Sequence, residues 1–213
     1  MICITCVDAL LGTDMERVCH KAEEYAGIPV KPCYMYALTR EGRKPPMVHV
    51  RQSIYSLLEP KKKKGNVVNL LGFFSPLVDD CELYDLLHSA GVKTIHEISR
   101  CRDYEEYQTM SQANFNLVLH PEARFAAEDF HDRLKIPFIE LRRLYQVDKI
   151  ENQYCALGQV LGVAFDQKKY KAEALEAVEQ FREACPDAAF AVGECMNGDP
   201  FELALALVRY GFR

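Results

Sequence analysis

Two cysteines three residues apart open the chain, in Met1-Ile2-Cys3-Ile4-Thr5-Cys6. The β-branched run delivers Cys6 straight into Val7-Asp8-Ala9-Leu10-Leu11-Gly12-Thr13-Asp14, which reads as the opening of an amphipathic helix. A strand-to-helix junction sets a thiol beside unpaired N–H groups and a partial positive charge. Both favour the thiolate that a soft metal centre, such as an iron–sulfur cluster, takes as ligand. The competing reading of Cys6 is a small hydrophobe buried under a sheet. Cys3-x-x-Cys6 also has the spacing of thioredoxin-like redox motifs and of half a tetrahedral metal site. Alternation along a strand argues against that use, because it points the two side chains to opposite faces, and Cys3 is expected in the core.

A second candidate is His120, which follows the strand-like run Phe115–Leu119 and precedes Pro121. An imidazole at the carboxyl end of a strand can ligate a metal or donate a proton, and the plainer alternative is a loop histidine bonded to backbone. Arg100-Cys101-Arg102 also follows a strand, where a thiolate of lowered pKa and two guanidinium groups could meet an anion, or simply form a solvated rim. Cys155 falls mid-helix and is read as core, as are Cys19, Cys33, Cys81, Cys185 and, at a strand end, Cys195. Neither G-x-x-x-x-G-K-[ST] nor G-x-G-x-x-G occurs, which excludes phosphate binding by those loops.

Apolar periodicity supplies the elements that must hold these groups. It predicts a strand at Ile2–Cys6, a helix from about Leu10 to Ala26, a strand near Val30–Tyr36, a polar turn at Thr39–Pro46 and a helix at His49–Leu58. Pro60 and the run Lys61–Lys64 read as a solvated linker and a first domain boundary. Strand and helix then alternate: Val67–Phe73, Val78–Ala90, Lys93–Ile98, Tyr104–Gln112, Phe115–Leu119, Arg124–Leu134 and Pro137–Glu140. That alternation predicts an α/β fold with Rossmann-like parallel sheets and helices on both faces, and with ligands gathered at the carboxyl ends of the strands. Helices at about Lys149–Ala164 and Lys168–Ala184, a strand at Ala188–Gly193 and a helix at Pro200–Tyr210 complete the reading.

The chain has 213 residues, of which 49% are hydrophobic and 27% charged, an ordinary globular balance. Nine cysteines, an odd number, in a mixed α/β chain of this size argue for reduced thiols rather than a disulfide framework. A net charge of −5 argues against nucleic acid as a partner. With no signal-like start and no apolar run of about 18 residues, a cytoplasmic protein without a membrane partner is expected.

The pattern Thr5-Cys6-x-x-x-Leu10-Leu11-Gly12-x-Asp14, followed by a charged helix and Gly27-Ile28-Pro29-Val30, resembles the cluster-bearing segment of the nitrogenase component 1-type oxidoreductases. Two further stretches resemble units of that family: Gly65-Asn66-Val67-Val68-Asn69-Leu70-Leu71-Gly72, and Phe115-Asn116-Leu117-Val118-Leu119 with Ile136-Pro137-Phe138-Ile139 after a helix. The resemblance, which spans most of residues 1 to 210, implies parts of a three-domain architecture in a chain too short to hold the whole. Residues 1–64 would be a partial first domain, 65–165 the second, and 166–213 a helix and the start of a third.

The resemblance further implies that Cys6 is one ligand of an iron–sulfur cluster, either [4Fe–4S] or P-cluster-like, shared with a homologous partner subunit, and that Gly12 lets the backbone approach it closely. Because such clusters usually take four thiolates, one matching cysteine would not assemble it alone. His120 stands where the catalytic subunit of the family anchors its metal cofactor with a cysteine, which puts an iron–molybdenum-type cofactor in doubt. The function implied is a reductase subunit, an oxidoreductase component inactive alone, which receives electrons from an ATP-dependent iron protein. The alternative is a non-catalytic scaffold of the same fold that assembles or holds a metal cluster.

Overall fold

The computed structural model describes residues 1–35, 44–193 and 199–213. In chain order its elements are β1 (Ile2–Ile4), α1 (Cys6–Leu10), α2 (Met15–Ala26), β2 (Pro32–Tyr34), α3 (Pro46–Ile54) and β3 (Val67–Leu71). There follow α4 (Glu82–Ser89), β4 (Thr94–Glu97), α5 (Tyr104–Thr109), β5 (Phe115–Val118), α6 (Arg124–Leu134) and β6 (Phe138–Glu140). Three helices, α7 (Val147–Leu161), α8 (Lys168–Ala184) and α9 (Pro200–Arg209), close the chain. Most of the expected polar turn at Thr39–Pro46, and Cys195, lie outside the described residues.

By spatial contact the chain forms two units, Met1–Pro76 with His96–Glu140 and Leu77–Ile95 with Leu141–Arg213. The division expected at residues 64 and 165 is therefore not the one that packing makes. Residues before 65 do not stand apart, because α3 and the chain after it lie against α6. Arg133 of α6 donates to the carbonyls of Tyr55, at 3.0 Å, and Leu58. The expected solvated linker is also only partly that: Lys63 donates to the carbonyls of Ser111 and Leu134, both at 2.9 Å. It thereby satisfies an orphan carbonyl at the end of α6, and burial lowers the lysine's pKa.

The first unit holds a parallel pair, β1 with β2, in which Ile2, Cys3 and Ile4 face Pro32, Cys33 and Tyr34. It also holds most of a four-stranded sheet in the order β4-β3-β5-β6, with β5 parallel to both β3 and β6. All five residues of β3 are buried, the pattern of a strand covered on both faces. One face carries the core: Val67, Leu71 and Val118 meet Tyr55, Leu58, Met110 and Phe130, with the Tyr55 and Phe130 rings edge-on at 5.1 Å. Within this apolar layer sits a polar pair. Asn69 and Asn116 are opposite one another in register and wholly buried. Asn69 Nδ2 donates to Asn116 Oδ1 at 2.7 Å and to the Met110 carbonyl at 2.9 Å, leaving Asn69 Oδ1 and Asn116 Nδ2 unbonded.

In the second unit α4 buries Leu83, Leu86 and Leu87. Tyr154 of α7 donates to Glu82 at 2.7 Å, and Tyr170 of α8 to Asp85 at 2.8 Å. Glu202 of α9 is buried as an acceptor for the backbone N–H of Tyr145 at 2.7 Å and the Gln146 side chain at 2.8 Å. The strand expected at Ala188–Gly193 does not form. Phe190 donates its N–H to the Arg213 carbonyl, and its ring packs with Phe181 and Phe212, so the stretch is held by an aromatic cluster rather than by a ladder. No helix among the described residues is long and apolar enough to cross a membrane.

Candidate functional site

The Cys6 end of β1 is open. Cys6 begins α1 and is exposed, together with Val7 (61%), Leu10 (77%) and Leu11 (76%). The single helix expected over Leu10–Ala26 is two, broken where Gly12 turns with φ +61°. A Cβ at Gly12 would meet nothing within 4 Å, so it is the positive φ that calls for glycine within this chain. Asp14 caps α2 by accepting the Arg17 N–H at 3.1 Å. At the start of α1 the Asp8 carboxylate accepts both the backbone N–H and the hydroxyl of Thr5 at 2.9 Å. Those bonds hold the Asp8 carboxyl below its usual range. A five-residue helix with a carboxylate in its first turn offers the thiol less positive field than the long helix expected from sequence.

Cys3 corrects the reading that put it in the core. It is exposed, because Ile4 takes the covered face of β1 and alternation turns Cys3 outward. Cys155 and Cys185, also read as core, are exposed on α7 and just beyond α8, whereas Cys19 and Cys33 are buried as expected. Of the two readings of Arg100-Cys101-Arg102, the solvated rim fits and the thiolate of lowered pKa does not, the Arg102 side chain being 85% exposed. Burial and the carboxylates of Glu106 and Asp103 push the Cys101 thiol up rather than down. Arg100 pairs with Glu97 and Arg102 with Glu106, each at 3.0 Å.

The carboxyl ends of β3 and β5 are closed. Gly72 leaves β3 with φ +140°, and a Cβ there would lie 2.7 Å from the His120 backbone nitrogen and 2.8 Å from its Cβ. Only glycine lets the two strand exits come this close. His120 caps the short 3-10 turn Pro121–Ala123, its Nδ1 accepting the Glu122 N–H at 3.3 Å, and the Phe73 ring stands edge-on at 5.8 Å. A neutral imidazole that accepts at Nδ1 carries its proton on Nε2, so it is a donor there rather than a free lone pair.

Beneath it lies a residue that sequence reasoning missed. Arg51 of α3 is 6% exposed. It donates to the Gly72 carbonyl at 2.8 Å, pairs with Glu122 at 2.6 Å and lies over the Phe74 ring. Burial works against its charge and the Glu122 carboxylate supports it. The only signal in the sequence was a lone arginine on an otherwise mixed helix.

Among the described residues no three His, Cys, Asp or Glu side chains are grouped to hold a metal ion. Cys6 fits an iron–sulfur cluster as one thiolate on an open surface, with the other ligands coming from elsewhere. A model of the "Nitrogenase component 1 type Oxidoreductase" family matches residues 1–200. This chain belongs to that family.

The nitrogenase component 1-type relatives include the nitrogenase iron-molybdenum cofactor biosynthesis protein NifE of Rhizobium meliloti (strain 1021). It is 27% identical over 167 residues, which cover 76% of this chain and 34% of that protein. NifE of Klebsiella pneumoniae is 24% identical over 189 residues, which cover 83% and 41%. The structure titled "Nitrogenase Cp1 at pH 5" superposes with a TM-score of 0.58 at 21% identity, covering 87% of this chain and 38% of that one. The chain thus spans only about a third to two fifths of the length of these component 1-type relatives. The α/β fold expected from sequence is that of the family.

Proposed function

We propose that this chain is a non-catalytic scaffold that holds an iron–sulfur cluster at a seam with a homologous component 1-type subunit, Cys6 being its own ligand. The observation that carries this reading is the exposure of the Cys6 thiol among uncovered apolar side chains. An exposed cysteine followed in the chain by exposed Val7, Leu10 and Leu11 is suited to a surface that another subunit covers, and burial of those side chains would shield a cluster from water. The likeness to NifE, named for cofactor biosynthesis, supports a scaffold over a reductase.

Bound there, a cluster supplies iron and sulfide for transfer or a store for single electrons. The chain's own part is to hold Cys6 at the first turn of α1, where the Thr5–Asp8 bonds fix the backbone. At the other strand end His120, with its proton on Nε2, would donate a hydrogen bond to an anionic group, beside the ion pair of Arg51 with Glu122. A cytoplasmic setting, which keeps most thiols reduced, suits a free ligand thiol at Cys6.

Anaerobic purification together with the homologous subunit, followed by iron and sulfide analysis and electron paramagnetic resonance, tests the reading. The scaffold passes its cluster to an apo-acceptor and shows no turnover with an ATP-dependent iron protein; ATP-driven reduction with turnover would establish the reductase reading instead. Cys6→Ala should remove the iron without unfolding the chain. Full iron content in that variant would sink the assignment of Cys6.

A further inference from the structure

The Cys3-x-x-Cys6 spacing is not the pairing that the fold makes. Cys3 stands opposite Cys33 in the β1–β2 register, and residues directly opposite on neighbouring strands project from the same face of a sheet. Neighbouring strands run about 4.8 Å apart, inside the Cα separation of about 4.4–6.8 Å that a disulfide accepts. Both thiols are free, Cys3 exposed and Cys33 fully buried. Burial first, and then the charge and hydrogen bond of the adjacent Cys3, push the Cys33 thiol up.

We propose that Cys3 and Cys33 form a reversible intramolecular disulfide that staples β1 to β2 immediately ahead of the Cys6 turn. The oxidant is a low-molecular-weight disulfide such as oxidised glutathione. Cys3, the accessible partner, attacks as thiolate: a bond forms between its Sγ and one glutathione sulfur, the glutathione S–S bond breaks, and one glutathione thiolate leaves. Cys33 then loses its proton and attacks Cys3 Sγ, forming the Cys3–Cys33 bond and releasing the second glutathione thiolate. Two protein thiols are oxidised, two electrons pass to the oxidant, and excess reduced glutathione reverses both steps. Exposure makes Cys3 the entry point, and the buried, less acidic Cys33 the resolving thiol.

The bond would matter because β1 and β2 are three residues each, and a pair of strands that short is marginal by itself. Linking residues 3 and 33 constrains the unfolded chain across α1 and α2. Cys6, on α1, stays outside the bond and available.

The chain, kept under nitrogen, is equilibrated in glutathione mixtures of increasing oxidised fraction, alkylated, digested and mapped by mass. The expected result is a Cys3–Cys33 cross-linked peptide that grows with oxidation while Cys6 takes no part in any protein cross-link, and a thermal midpoint several degrees above that of the reduced chain. Cys3→Ser, at an exposed position that folding does not need, should lose both the cross-link and the shift; Cys6→Ser should keep both. A Cys3–Cys6 cross-link would overturn the proposal. So would glutathione trapped on Cys3 with Cys33 still alkylated, or no loss of thiols in the most oxidising mixture.

Discussion

Both β1 and β5 run into a residue able to bind metal, Cys6 after Thr5 in one case and His120 after Leu119 in the other, but the surroundings differ in kind. His120 is pressed against Gly72, edged by Phe73 and underlain by the pair Arg51–Glu122, with a side chain only 18% exposed. Cys6 is flanked by exposed apolar residues on a five-residue helix that buries none of its own side chains. The first arrangement is complete within the chain. The second has Thr5 and Asp8 bonded to each other but its apolar groups uncovered, and on that imbalance the proposed seam rests.

The comparison breaks most severely if the layer beneath the closed end is hollowed out. Phe130 is fully buried against Tyr55 on the face of the sheet that carries β3 and β5. Phe130→Ala should cost about 3–5 kcal/mol in urea unfolding. Loss of that size with Cys6 reactivity toward alkylating agents unchanged below the transition would show that the open end does not draw on this core.

Gly72→Ala tests the closed end itself. The new methyl meets backbone, which has no rotamer to escape into, and the residue must hold φ +140°. A destabilisation of about 2–4 kcal/mol is expected from the clash and the strained backbone together. The His120 ring resonances, followed by nuclear magnetic resonance, should move with it, whereas Gly12→Ala, with open space around the methyl, should cost only its positive φ, about 1 kcal/mol.

How much of this was legible in the sequence follows from the range of each interaction. Helices α6 and α8 run over the residues that local periodicity and punctuation predicted, Arg124–Leu134 and Lys168–Ala184. The open and closed ends were also located as strand exits. What local pattern did not carry was coverage and register. Alternation gave Cys3 and Ile4 opposite faces but not which face would be covered, and the core was assigned to the wrong one. The two strand motifs carry Asn69 and Asn116 in stretches 47 residues apart. They are opposite partners in register, a relation that exists only once β3 and β5 are neighbours in the sheet. Cys3 and Cys33 became a pair in the same way. Arg51 was invisible because its partners, Gly72 and Glu122, lie 21 and 71 residues away. The strand expected at Ala188–Gly193 had the composition of a strand but no neighbour to bond with among the described residues.

The outer strand β4 carries His96, which sharpens the contrast through pH. Burial lowers the His96 pKa, against a smaller opposing pull from Glu106. A histidine kept neutral in the fold binds its proton more readily when unfolded. Its contribution to stability is therefore full above the unfolded value of about 6.5 and is lost as pH falls from there through the folded value. Urea midpoints should decline over that window, and His96→Gln should flatten the decline. An unchanged slope would mean that other histidines set it.

The smallest stability effect is expected where the function is proposed. Cys6 is exposed and no packing depends on its sulfur, so Cys6→Ser should shift unfolding by less than about 0.5 kcal/mol. The same substitution should weaken assembly with a homologous subunit only when iron is present, since a serine hydroxyl keeps the shape of the surface but is a poor ligand for a soft metal. Sedimentation of the two subunits, with and without reconstituted iron and sulfide, separates the outcomes. A loss of assembly in the iron-free mixture would mean that Cys6 contributes to the interface by packing, and the contrast between a sealed histidine end and an open cysteine end would then be one of shape rather than of chemistry.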